Sequence, residues 1–149
     1  MRNYLPIIVL LISIQILGQN NQSTIQKIEQ TIQNYYDGYI YRDLSKLNQA
    51  FDTINGTMKV PVVENGKTVG YTNRFFKELL PKWGNRKQLS KEVLNNCDLH
   101  ILNIDVVDNQ IASAKIKMKV DTITYIDILS LEVMNDEWKI TNKIYTTRE

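Results

Sequence analysis

The chain has 149 residues, 43% hydrophobic and 23% charged, with a formal net charge of +2. That is enough for one domain with its own core and too few for two, and a small charge spread along the chain gives no electrostatic case for nucleic acid. A single cysteine, Cys97, excludes an internal disulfide, so packing alone must hold the fold.

The N-terminus has the pattern of a secretory signal peptide. Arg2 precedes an apolar run from Leu5 to Leu17, a small residue, Gly18, follows, and Gln19–Ser23 is polar. The run is shorter than the roughly 20 residues that span a bilayer, and Pro6 and Gln15 weaken it further. The expectation is a signal over 1–19 and a single mature domain over 20–149, secreted or periplasmic and not stably inserted in a membrane.

Ser23 and Gln26 resemble a capping box. From there Ile25, Ile28, Ile32, Tyr35, Tyr36 and Tyr39 recur at helical spacing, with Gly38 loosening the last turn. Asp43 can cap a second, short helix that buries Leu44, Leu47 and Phe51. Met58, Val60 and Val62 alternate with Lys59, Pro61 and Val63 ahead of a turn signal at Glu64–Asn65–Gly66–Lys67, and Val69–Tyr71 returns. Pro61 assigns this hairpin to a sheet edge. Asn55–Gly56–Thr57 matches a glycosylation sequon, relevant only in a eukaryotic secretory route. A third helix is expected from Thr72 or Asn73 to Pro81, with Phe75, Phe76, Leu79 and Leu80 on one side and a turn at Trp83–Gly84–Asn85.

From Asp98 to Tyr145 the pattern is a four-strand meander. Ala112, Ala114, Ile116, Met118 and Val120 fall on one face of their strand, and Ser113, Lys115, Lys117, Lys119 and Asp121 on the other. A two-residue turn at Thr122–Ile123 opposes Met118 to Asp127 and Ile116 to Leu129. A turn at Asn135–Asp136 opposes Val133 to Trp138, Leu131 to Ile140, Leu129 to Asn142 and Asp127 to Ile144. Both turns predict the same inner face.

Asp127 and Asn142 are the polar exceptions on that face, and a buried carboxylate needs a partner. A three-residue loop at Asp108–Asn109–Gln110 adds His100, opposite Met118, on the inner face; a two-residue turn would send His100 outward. The run of Leu102, Ile104 and Val106 favours the longer loop. The resulting candidate site is a cavity between helices and sheet. Asp127 is its anchor or general base, Asn142 and His100 are polar neighbours, and Tyr35, Tyr39, Met118 and Trp138 form the walls. The structural alternative is that Asp127 bonds to Asn142 and a tyrosine and only fixes the core. Lys143, on the other parity of the last strand, reads as a solvated charge. Cys97 reads as a small buried hydrophobe. No residue set has metal-ligand spacing, no glycine-rich phosphate loop appears, and nothing calls for a cofactor.

Tyr125-Ile126-Asp127-Ile128-Leu129-Ser130-Leu131 followed by Glu137-Trp138-Lys139-Ile140-Thr141-Asn142-Lys143-Ile144-Tyr145 resembles the final hairpin of the putative lumazine-binding proteins. These belong to the nuclear-transport-factor-2-like, polyketide-cyclase-like superfamily. Tyr35-Tyr36-Asp37-Gly38-Tyr39 with Asp43 and Leu47 resembles the family's first helix pair, and Asp105-Val106 with Ala112–Lys115 its preceding hairpin. Asn135-Asp136-Glu137 departs from the usual glycine turn. The resemblance implies an α+β cone, three helices on a curved mixed sheet with a pocket at the open end, and dimerisation through the sheet in many members. The leading functional expectation is an exported small-molecule-binding protein. The alternatives are a cyclase- or isomerase-type enzyme using Asp127, and a dimerisation or interaction module.

Overall fold

A computed structural model describes the backbone of residues 5–148 and the side chains of 22–148. Helices α1 (Leu5–Tyr41) and α2 (Leu44–Ala50) precede a hairpin, β1 (Thr57–Glu64) and β2 (Lys67–Phe75). Helices α3 (Phe76–Gly84) and α4 (Lys91–Leu94) lead into β3 (Asp98–Val107), β4 (Ile111–Val120), β5 (Ile123–Met134) and β6 (Glu137–Arg148). The six strands form one sheet in the order β2-β1-β6-β5-β4-β3. All neighbours are antiparallel except β1 and β6, which run parallel. This is the α+β cone with a terminal meander that the sequence leads one to expect.

Helix α1 is continuous through Gln19–Ser23, so Ser23 lies inside it and the expected cap is not used. Most of the export-signal reading falls on residues 1–4 and on the side chains of 5–21, outside the described residues. Among the described residues no helix is long and apolar enough to cross a membrane. Further along α1, Ile28, Ile32, Tyr35, Tyr39 and Ile40 are buried against the sheet and α2. The Thr31 hydroxyl donates to the Trp138 carbonyl at 3.1 Å and ties the helix to β6. Gly38 does not loosen α1; it lets α2 approach. A Cβ there would lie 2.8 Å from both Leu47 Cγ and the Leu47 nitrogen. Asp43 caps α2 as expected, accepting from the Lys46 amide at 3.1 Å, while Leu44 stays largely exposed.

The β1–β2 turn lies where Asn65–Gly66 puts it, both residues having positive φ. Strand β1 pairs with β6 only over Thr57–Lys59, so Pro61, beyond that stretch, has no β6 carbonyl to disappoint. Strand β2 continues to Phe75, paired with Thr57, and so postpones α3 to Phe76. Pro81 does not end α3. The short helix forgoes one hydrogen bond there and runs on to Gly84, which buries Trp83 instead of leaving it in a turn.

Three details of the meander differ from simple alternation. The β4–β5 turn is Asp121–Thr122, one residue earlier than expected, because Asp121 tolerates the left-handed φ of 58° and β-branched Ile123 does not have to. Pairing therefore slips by two residues, Ile116 opposing Asp127 and Met118 opposing Tyr125, with facing unchanged. The β5–β6 turn is Asn135–Asp136 as expected, and Val133 opposes Trp138 and Leu131 opposes Ile140. Thr141 is then a bulge: Ser130 opposes Asn142 and Leu129 opposes Lys143. The three-residue β3–β4 loop also forms, but Leu102 is a second bulge, and Leu99 rather than His100 opposes Met118. Each bulge turns every residue beyond it to the other face.

Candidate functional site

Asp127, in the middle of β5, is fully buried on the inner face between Ile116 of β4 and Tyr145 of β6. Its Oδ2 accepts from the Lys143 ammonium at 2.7 Å and from the Tyr35 hydroxyl at 3.0 Å. Lys143 also donates to the Tyr35 hydroxyl oxygen, closing a three-membered cluster. Its side chain is only 4% exposed. The ammonium lies 4.9 Å from the ring centroid of Tyr35, 5.2 Å from Tyr145 and 5.9 Å from Tyr125, so π-faces supply part of the solvation that water gives elsewhere. Asp127 Oδ1 is buried with no partner among the described residues. Burial, followed by the charge of Asp127, pushes the Tyr35 hydroxyl well above its usual range, so it remains a donor to the carboxylate.

Above this cluster a chamber of about 160 Å³ opens between α1, the end of α3 and the sheet. Lys143, Tyr35 and Met118 form its floor, with Met58, Tyr125 and Tyr145 from the strands, and Tyr39, Trp83 and Arg86 closing the helical side. The aromatic walls brace one another. Tyr39 meets Trp83 edge-on at 5.3 Å and Tyr125 at 6.4 Å, and Tyr35 stacks near Trp83 at 6.3 Å. Arg86 reaches in from the rim and donates to the Tyr39 hydroxyl at 2.8 Å. Burial, with the neighbouring Tyr39, raises the Tyr125 hydroxyl to about 12, and burial raises Tyr145 as well. Tyr35, Tyr125 and Tyr145 therefore keep their protons at neutral pH.

Of the residues expected here from sequence, the structure brings together Asp127, Tyr35, Tyr39 and Met118. Three others lie elsewhere. Asn142, displaced by the Thr141 bulge, donates to the Thr57 hydroxyl at 2.8 Å instead of meeting Asp127. His100, turned outward by the Leu102 bulge, is exposed and lies 3.6 Å from Asp98. Trp138 is buried, but at the other end of β6, where it opposes Val133. Cys97 is a half-buried free thiol. No group of three metal-ligating side chains occurs among the described residues. Sequence reasoning missed Met58, Trp83, Arg86, Tyr125 and Tyr145, and its reading of Lys143 as a solvated charge is overturned by the burial of that side chain. Strict alternation along β6 sends Lys143 and Tyr145 outward; in the structure the inner-facing residues run Trp138, Ile140, then Lys143, Tyr145, with a step of three where the bulge sits.

On the opposite face of the sheet, Ile126, Ile128 and Ile144 with Tyr71 line a wider apolar depression of about 480 Å³ flanked by Lys59 and Lys115. It is separate from the polar cluster and shares only Tyr145 with the chamber.

Comparison with solved structures returns the same architecture. An NTF2-like protein of unknown function from Shewanella baltica OS155 superposes with a TM-score of 0.69 at 23% identity, over 84% of this chain and 94% of that one. One from Methylobacillus flagellatus KT gives 0.65 at 20% identity, over 84% and 92%. A "Putative Scytalone Dehydratase" from Novosphingobium aromaticivorans DSM 12444 gives 0.59 at 14% identity, over 89% of each chain. At these identities the likeness is one of fold. No curated protein matches the chain. The family model described as "Putative lumazine-binding" matches residues 23–146, and the chain accordingly belongs to that family.

Proposed function

We propose that this protein binds a small, flat molecule in the chamber above Lys143, and that it does so without turnover. The observation that carries the reading is the chamber itself, an aromatic recess whose floor ends in a buried, internally neutralised Lys143–Asp127–Tyr35 cluster. Apolar walls with a few fixed polar groups are the usual make-up of a small-molecule site. The family's description suggests a lumazine as ligand. A fused two-ring molecule would require the walls to move apart, since about 160 Å³ is below the roughly 300–1,000 Å³ usual for drug-sized ligands.

Binding is favoured over general-base catalysis because Asp127 does not line the chamber and its Oδ2 is committed to an ammonium and a phenol. The test is a titration with lumazine, read by quenching of Trp83 fluorescence. Saturable quenching, lost when Met118→Trp fills the chamber floor and the added indole is corrected for, supports the reading. Its absence at millimolar lumazine, together with no thermal stabilisation by single-ring compounds, would sink it. The same reading includes export after signal cleavage, checked by N-terminal sequencing of the mature protein. It also includes a homodimer through the outer sheet face, checked by sedimentation of an Ile128→Lys variant.

A further inference from the structure

The polar inventory around the chamber is lopsided. Arg86 donates to the Tyr39 hydroxyl, yet its guanidinium has no carboxylate partner among the described residues. Arg42, just behind Tyr39, is in the same position: its hydrogen bonds go to the carbonyls of Lys87 and Tyr39. The two guanidinium carbons lie 5.6 Å and 5.3 Å from the Tyr39 ring centroid, so two like charges gather on one tyrosine. Burial lowers the pKa of Arg42; Tyr39 opposes that shift, and the like charge of Arg86 adds a smaller lowering. Deeper in, Asp127 cancels the charge of Lys143, but the named bonds use only two of the three ammonium hydrogens. Among the described residues no carboxylate lines the chamber, and the unpartnered Asp127 Oδ1 is not part of its lining, so positive charge is in surplus there.

Size narrows the choice further. A chamber of about 160 Å³ is close to the ~150 Å³ of a protein cavity that takes up benzene. We infer that the chamber selects a small single-ring anion, an aromatic carboxylate or phenolate, whose charged oxygen pairs with Arg86 at the rim while its ring lies among Tyr39, Trp83 and Tyr125. This deepens the small-molecule reading above and rests on it. A neutral ring of the same shape forfeits the charge-assisted bond, and a cationic ring meets the like charge of Arg86.

The experiment compares benzoate, benzamide and benzylamine by calorimetry at low salt, on the whole protein and on Arg86→Gln. Arg86 is an exposed rim residue, so the variant is expected to keep the parent melting temperature. The expected result is benzoate binding roughly tenfold or more tighter than benzamide, no binding of benzylamine, and loss of the benzoate preference in Arg86→Gln. Benzamide or benzylamine binding as tightly as benzoate overturns the charge inference and leaves small-molecule binding standing. So does an Arg86→Gln variant that retains the full benzoate preference. If none of the three binds while lumazine does, the single-ring inference alone fails; if lumazine also fails, both readings fall together.

Discussion

Lys143 owes its place in the interior to partners on two other elements. Its charge is matched by Asp127 of β5 and shared with the Tyr35 hydroxyl of α1. A buried ion pair contributes little net stability compared with apolar residues of similar shape, but removing one member strands the other. Lys143→Met is therefore expected to cost about 3–5 kcal/mol, measured by urea denaturation, because Asp127 would be left in an apolar environment with a single phenol donor. Adding Asp127→Leu to that variant is expected to restore most of the loss, which a purely steric effect of the introduced methionine would not allow. Reading Asp127 as an inward polar group needed only strand parity. Its partner could not be named from parity, because the alternation that faces Asp127 inward assigns Lys143 to solvent until the Thr141 bulge is known.

Apart from the short helix α4, which the sequence reading did not place, the elements came out of the sequence with their types correct and several limits displaced. At Asp43, Asn65–Gly66 and Asn135–Asp136, where local chemistry sets the limit, expectation and structure agree, although the unused Ser23 cap and the turn at Asp121–Thr122 show that local signals also fail. Where the limit depends on a partner far along the chain, the two disagree. Strand β2 holds to Phe75 because Thr57 pairs with it, and α3 passes Pro81 because Trp83 has a core to enter. Gly38 is a case of contact outweighing propensity. Alanine is the better helix former by about 1 kcal/mol, yet a methyl group at this position would press on the Leu47 backbone and side chain at 2.8 Å. Gly38→Ala is expected to lower stability by ~1–3 kcal/mol in a denaturant melt, as α2 is forced away from α1. A stabilised variant would show that the α1–α2 approach can relax freely.

On the scale of the whole molecule, helices cover one face of a six-stranded sheet, and the tyrosines buried between them make the fold sensitive to alkali. Tyr35 and Tyr125 both hold their protons more tightly folded than unfolded, Tyr125 up to about 12 and Tyr35 well above 10.0. Their contribution is complete below about pH 10, where the unfolded phenols begin to ionise, and drains away as pH rises through the folded values. Melting temperature is expected to be level between about pH 7 and about 9.5 and to fall steeply above about pH 10. In Tyr125→Phe the fall should be shallower; an unchanged profile would show that Tyr125 does not sense the folded interior.

The sequence by itself determined the order and kind of the elements other than α4, the four-strand meander, and the inward facing of Asp127, because these follow from periodicity and turn chemistry within a few residues. Only the tertiary structure decided which side chains surround that carboxylate. Single extra residues at Leu102 and Thr141 send His100 and Asn142 away and bring Lys143 in. A bulge adds one residue to one strand and is stabilised by what then meets across the sheet, so its energetic reason lies in contacts that no local pattern contains.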